Sequence, residues 1–335
     1  MVRLGEHSMR FGFTIMLVFF LPLIFSTKSH GLDCPDLRII PVFHANQLVI
    51  EGIVSTGEPN PGTGRRNRIT GFLSKPAGGA TLELRVFGAS QTINTDDQGL
   101  FVATISRLIP EGKVILFDPT EKQIIAQKEF SFPSSPSYLL VSDIDDTIMI
   151  SEISKKVRLV LRAIFRKVED RKVVPGTPEL YRDLASSASR IGHPLVFYLS
   201  ASPSTLSRFL EAFISTKKFP QGTLCLKRSL KTEGFLPREH KIKWLKKISS
   251  LNPGLPMLCL GDSGESDPEI YAEFFESGIA KSSGVVIRLL ENEKPNNQRW
   301  KDIETRLKKI AIPFYPWKTP DELRLKLKTA GILGK

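Results

Sequence analysis

The 335-residue sequence is poor in the residues that staple a small fold or hold a soft metal, with three cysteines and five histidines. An odd set, Cys34, Cys225 and Cys259, is not a disulfide framework, and no Cys/His cluster has metal-ligand spacing. A Cys34–Cys225 bridge is open but unsupported by spacing, and Cys259, inside an apolar run, reads as a small core residue. Gly31-Leu32-Asp33 before Cys34 makes a poor lipidation signal. Acidic residues are also scarce: 35 Asp and Glu against 47 Lys and Arg give a net charge of +12. That excess suits an anionic partner, such as a phosphate or an anionic lipid, and equally a plain solvated basic surface. No nucleic-acid-binding motif accompanies the charge, so nucleic acid is not expected as a partner. The N-terminal apolar run is short as well. Phe11 to Phe25 is 15 residues, broken by Pro22, preceded by Arg3 and Arg10 and followed by Ser-Thr-Lys. That falls short of a comfortable membrane span and fits a signal peptide over residues 1–31, with small residues at Ser29-His30-Gly31. An uncleaved anchor is the alternative; either way the chain is expected to be exported, periplasmic, secreted or outward-facing.

What is present is ordinary globular material, 41% hydrophobic and 24% charged, enough for two modest domains. From about 37 to 136 the pattern is short and strand-like: Gln47–Val54, Thr81–Phe87, Leu100–Ile105, Lys113–Asp118 and Gln123–Phe130. Leu82, Leu84 and Val86 alternate with Thr81, Glu83 and Arg85, as in a half-buried strand. Thr95 to Phe101 reads as a hairpin turn with Gly99 at positive φ. A small all-β sandwich follows, similar to transthyretin-like modules. Its basic loop, Gly62 to Arg68, is an anion contact or a solvated loop. Phe132-Pro133-Ser134-Ser135-Pro136-Ser137 reads as a linker.

Beyond it, apolar strands alternate with helical stretches over 138–312, the pattern of a doubly wound parallel sheet. An amphipathic helix is expected over Ser151–Val168, with Lys155, Arg158, Arg162 and Arg166 on one face. That face could meet an anionic membrane or merely be solvated. Thr177 is the expected N-cap of a second helix, with Pro178 at its first position and its end near Arg190, before Gly192. A tail over 313–335 combines an aromatic cluster (Phe314, Tyr315, Trp317) with one amphipathic helix capped by Thr319 or Asp321.

The chain is organised around Ser142-Asp143-Ile144-Asp145-Asp146-Thr147, directly after the apolar run Tyr138–Val141. Ligands of open α/β sheets sit at the carboxyl ends of strands. Asp143 and Asp145, two apart on an extended segment, project to one side. Paired carboxylates repel without a cation, and oxygen ligands of this kind suit Mg2+. Two further strands end in polar signatures, at Ser200 and at Gly261-Asp262, and a helical run starts at Lys241. Phosphoryl transfer asks for such a set. Asp143 would be the nucleophile and Asp145 the acid and then the base. Ser200 would bond a phosphoryl oxygen, and Lys241 would neutralise charge. Asp262 would complete the metal carboxylates, with Asp267 supporting them. Singly, each has a plainer reading: Asp145, Asp146, Asp262 or Asp267 as a helix cap, Ser200 as a strand end, Lys241 as one lysine among many.

Jointly, these motifs resemble those of the haloacid dehalogenase (HAD) superfamily over about Tyr138–Leu290. The resemblance implies that Asp145 also reaches the metal, through its main-chain carbonyl, so that Asp143, Asp145, Asp262 and Asp267 make the metal site. More narrowly, Ser142-Asp143-Ile144-Asp145-Asp146-Thr147-Ile148, Tyr198-Leu199-Ser200-Ala201-Ser202-Pro203, His240-Lys241 and Gly261-Asp262-Ser263-Gly264-Glu265-Ser266-Asp267-Pro268-Glu269-Ile270-Tyr271 are similar to the phosphatidate phosphatase catalytic domain of the actin-patch-protein type. That resemblance implies an Mg2+-dependent lipid-metabolism enzyme that converts phosphatidate to diacylglycerol and phosphate. The family pattern after the serine reads Asn-Ser-Pro-Trp, whereas Ala201 and Ser204 stand here, so substrate contacts at that edge are expected to differ. Short inserts between motifs predict a capless site, open to bulky substrates. The alternatives are the same chemistry on a phosphoprotein or nucleic-acid end, and a non-catalytic lipid- or partner-binding module.

Overall fold

The computed structural model describes residues 31–57, 74–150, 168–186, 189–228, 237–291, 293 and 297–334. The expected leader (Gly31 apart), the basic loop at 62–68 and the basic helix at 155–166 lie outside the described residues. Among the described residues no helix is long and apolar enough to cross a membrane.

The first seven strands are antiparallel: β1 Leu32–Val42, β2 Gln47–Thr56, β3 Thr81–Val86, β4 Ala89–Asn94, β5 Leu100–Ile105, β6 Glu111–Asp118 and β7 Gln123–Ser131. They form a sheet ordered β1-β2-β5 and another ordered β4-β3-β6-β7. Leu48, Ile50 and Phe101 from the first meet Leu82, Leu84 and Leu116 from the second in one core. The alternation along β3 is what buries Leu82, Leu84 and Val86 while Thr81 stays exposed. The turn at Thr95–Phe101 forms, with Gly99 at φ 72 and Asp96 Oδ1 accepting from the amides of Gln98 and Leu100. It is not a hairpin, because β4 and β5 lie in different sheets and the turn carries the chain from one to the other. Sequence periodicity overlooks β1, which holds two prolines, and β4, where Ile93 is the lone buried residue.

β7 runs almost directly into β8 Pro136–Asp143. There follow α1 Thr177–Ala185, β9 His193–Pro203, α2 Ser207–Thr216, β10 Thr223–Lys227, α3 Pro237–Leu251, β11 Met257–Asp262 and α4 Asp267–Glu276. β12 Ser282–Arg288, α5 Gln298–Lys309, β13 Phe314–Trp317 and α6 Pro320–Thr329 complete the chain. The six strands are all parallel, ordered β10-β9-β8-β11-β12-β13. Strand order therefore reverses between β8 and β11, the crevice where α/β sheets bind ligands. One face packs under α1, α2 and α6 through Tyr181, Phe213 and Leu323. The other packs under α3, α4 and α5 through Leu245, Tyr271 and Leu307. A strand covered on both sides must be apolar throughout, and β8 sends Tyr138 and Leu140 to one core and Leu139 and Val141 to the other.

Several local expectations shift. Gly176, at φ 80, precedes α1, and the Thr177 hydroxyl donates back to Val174 O at 2.6 Å instead of capping. The helix ends at Ala185, not near Arg190. Phe314–Trp317 is no loose aromatic cluster: it is an edge strand pairing with β12, and an edge tolerates Pro316. Thr319 does cap α6, accepting from the Glu322 amide. All three cysteines are free and buried, Cys34 in the all-β core and Cys225 and Cys259 in the α/β core.

Candidate active site

β8 ends at Asp143, and the chain turns at once. Ile144 O accepts from the amides of Ile148 and Met149 at 3.1 and 3.0 Å, Asp146 takes φ 54, and its amide donates to Met149 O at 2.8 Å. Ile144 and Ile148 are fully buried, which anchors the turn to the core. Asp143 is fixed from two directions: Thr147 Oγ1 donates to its Oδ2 at 3.2 Å and Lys241 Nζ to its Oδ1 at 2.7 Å. Behind it, Ser142 Oγ donates to Asp143 O and shares a hydrogen bond with Tyr181 OH, each at 2.7 Å.

The neighbouring strand β11 delivers Asp262, whose Oδ1 accepts from the Gly264 amide at 2.6 Å. Asp267 opens α4, and its carboxylate turns back to accept from the Asp262 amide and from Lys241 Nζ. A side chain at 261 would meet Asp267 Oδ2 at 2.6 Å, so glycine keeps that approach open. Carboxylate oxygens of Asp143, Asp262 and Asp267 lie within 4.8 Å of one another, all buried. From β9, Ser200 Oγ donates to Asp145 Oδ2 at 3.3 Å and accepts from the Ser202 amide. The six residues singled out in the sequence thus meet at one edge of the sheet. The buried carboxylate triad comprises Asp143, Asp262 and Asp267, while the half-buried Asp145 side chain goes to Ser200.

Crowding shows in the protonation equilibria. Burial pushes the Asp143 carboxyl well above its usual range, Lys241 pulls it down, and Asp267, Asp262 and Asp145 push it up again. Asp262 is pushed up to about 7, by burial first and then by Asp267. Asp267 is raised by burial despite Lys241. Burial alone would lower Lys241, but Asp143 and Asp267 outweigh it and hold the ammonium firmly charged. Among the described residues the three carboxylates have one ion-pair partner, Lys241, so a divalent metal with oxygen ligands fits this donor set.

Residues 138–289 match the family model described as phosphatidate phosphatase APP1, catalytic domain. A curated relative, phosphatidate phosphatase APP1 of Saccharomyces cerevisiae, is 30% identical over 222 residues, which is 61% of this chain and 37% of that protein. Over residues 138–289 the chain is similar to the catalytic domain of this family. The chain spans little more than a third of its curated relative. Solved structures resemble it only slightly. A β-glucuronidase of Bacteroides uniformis (11% identity, 84% of this chain and 39% of that one) has a TM-score of 0.26. A carbohydrate acetylesterase from Xanthomonas citri (9% identity, 81% and 73%) has a TM-score of 0.28. Likenesses at that level bear on neither fold nor function.

The α/β half holds supporting residues that motif reading passes over. Arg288, ending β12, donates through Nη1 to Asp146 O at 2.5 Å and braces the turn. Arg299 on α5 donates to the carbonyls of Ser263 and Glu265 at 2.6 and 2.7 Å and pairs with Glu269, tying down the 263–269 loop. Arg288 could have been noticed as a polar residue at a strand end; nothing in the sequence ties Arg299 to residues some thirty positions earlier. Ser204 is buried and donates to Arg228 O at 2.7 Å, so it secures the loop after β9.

Proposed function

We propose that the chain is a capless HAD-type, Mg2+-dependent phosphatidate phosphatase that releases diacylglycerol and phosphate through an aspartyl-phosphate. The observation that carries this reading is the buried triad Asp143, Asp262 and Asp267 facing a single lysine at the sheet's switch point. The family match and the relative's name support the lipid substrate. Mg2+, held by Asp143 and Asp262 with Asp267 beside them and the Asp145 carbonyl as a further ligand, would offset the excess carboxylate charge and polarise the phosphoryl oxygens.

In the first half-reaction an Asp143 carboxylate oxygen attacks phosphorus, and the bond from phosphorus to the glyceryl oxygen breaks. Asp145, oriented by Ser200, gives its proton to that leaving oxygen. Thr147 and Lys241 hold the Asp143 carboxylate in place, and Lys241 neutralises charge on the phosphoryl group. In the second half, Asp145 takes a proton from water as the water oxygen attacks phosphorus. The Asp143–phosphorus bond breaks, and the free carboxylate and phosphate result.

The basic stripe at Lys155, Arg158, Arg162 and Arg166 is proposed to hold the protein on anionic headgroups, and residues 1–31 to direct its export. The deciding experiment measures phosphate release from dispersed phosphatidate, an aryl phosphate and a phosphopeptide, each with Mg2+ and with EDTA, beside Asp143→Asn. Mg2+-dependent release, fastest on phosphatidate and absent in the variant, supports the reading. Release confined to the other substrates would retain the chemistry and remove the lipid. A folded protein that releases nothing would point to a binding module.

A further inference from the structure

The helix that carries Lys241 is gripped from outside the α/β half. Side chains alternate along β1, so Leu37 and Ile39 enter the all-β core while Ile40 enters the core beneath α3. Asp36 and Arg38 share the Ile40 side, and both are buried. β2 repeats the division: Glu51 lies opposite Arg38 across the ladder, and Val49 packs with Ile40 against the α3 side.

Three grips result. The Arg38 guanidinium lies over the Trp244 ring, 5.1 Å from its centroid. Glu51 pairs with Lys247, whose ammonium sits 4.8 Å from the same ring. Asn252, just past the helix, donates to Pro41 O at 3.1 Å and accepts from the Phe43 amide at 3.3 Å. Arg38 also donates to Leu226 O in β10 at 3.1 Å, and the adjacent Cys225 O accepts from His240 Nε2 at 3.1 Å. His240 precedes Lys241, and Trp244 lies one turn beyond it. The Lys241–Asp143 contact is 2.7 Å, so a shift of α3 by about 1 Å would break it.

We infer that the β1–β2 hairpin is a working part of the active site: by gripping α3 at Trp244, Lys247 and Asn252 it sets where Lys241 Nζ lies, with Arg38 and Glu51 as positioning residues. The inference rests on the reading of Lys241 as the group that neutralises the phosphoryl charge. A hairpin that served only as stabilising cover would leave the catalytic rate untouched once the protein was folded.

The test uses the full chain with Arg38→Met, Arg38→Lys and Glu211→Gln. The last weakens the ion pair of the same all-β part (Lys128) to α2, away from α3, and leaves the Lys128 bond to Leu37 O in β1 in place. Steady-state kinetics on an aryl phosphate with Mg2+ are paired with amide hydrogen exchange of the 241–251 segment. Arg38→Met should lower kcat about tenfold with KM within about twofold, and speed exchange along the segment. Arg38→Lys should recover part of the rate, and Glu211→Gln should change neither reading. Unchanged kcat or unchanged exchange in Arg38→Met, or an equal kcat loss in Glu211→Gln, would overturn the inference. If Arg38→Met does not fold, Lys247→Met removes the half-buried Glu51 grip and is held to the same two outcomes. If the parent chain itself releases no phosphate, the reading of Lys241 fails, and exchange at 241–251 alone decides whether the hairpin holds the helix.

Discussion

Two clusters of buried charge sit on either side of α3, and they differ in their balance. Toward the antiparallel sheets, Asp36 and Glu51 face Arg38 and Lys247, two negative charges against two positive. Toward the switch point, Asp143, Asp262 and Asp267 have Lys241 as their one ion-pair partner among the described residues. Burial raises the Asp36 carboxyl and Arg38 pulls it back, whereas for Asp262 the next influence after burial is the neighbouring Asp267 carboxylate, which raises it further. A closed set of pairs needs no further ligand and holds α3 in place. A deficit of two positive charges costs the free protein stability and is the charge that a divalent ion would supply. Burial and charge alone therefore do not mark a functional site; the imbalance does.

The largest expected effect is chemical. Asp143→Asn should lower phosphate release at least about 10^3-fold while the circular dichroism spectrum stays that of the parent. The equivalent change across α3, Asp36→Asn, should act chiefly on folding and lower the rate far less.

Metal removal comes next. EDTA should cut the rate at least about 10^2-fold, and Mg2+ should restore it. Mg2+ at about 100 times its dissociation constant should stabilise the chain by about 2.7 kcal/mol, read as a rise in Tm. Asp262→Asn should lose most of that rise, and Asp36→Asn should keep it. An equal rise in both variants would mean that Mg2+ does not distinguish the clusters.

Breaking the balanced cluster should cost stability irrespective of metal. Asp36→Asn leaves Arg38 short of its partner inside the protein, worth about 3–5 kcal/mol in urea unfolding. The paired change Asp36→Leu with Arg38→Met should cost less than Asp36→Asn alone, because no charge is then stranded. A paired change as damaging as the single one would show that the contacts to Trp244 and Leu226, not charge balance, dominate there.

The smallest effect is in pH. Asp262 is held near 7 against 3.8 in the unfolded chain, so between those values the folded state binds more protons. Its stability contribution is therefore greatest in acid and declines as pH rises through that window. The metal-free Tm should fall from pH 5 to pH 8, and less steeply in Asp262→Asn. Mg2+ should raise Tm more at pH 8 than at pH 5, since protonated carboxyls bind it poorly.

The apolar strands β8, β9, β11 and β12 and the polar residues at their ends were legible because each signal is local, whereas β10 and α5 went unread. A continuous apolar run must be a covered strand, and polar residues at its carboxyl end have nowhere to lie but the sheet's edge. Thr319 at the start of α6 was legible for the same reason, as a cap acts within one turn. What lacked a local signal went unread: β13 in Phe-Tyr-Pro-Trp, β1 with its prolines, and the passage of the Thr95–Phe101 turn between two sheets. Only the tertiary structure decided which charges balance. Arg38 and Trp244, or Lys241 and Asp143, are far apart along the chain, and their energies depend on burial and on distances of a few ångströms. Composition and spacing carry neither quantity.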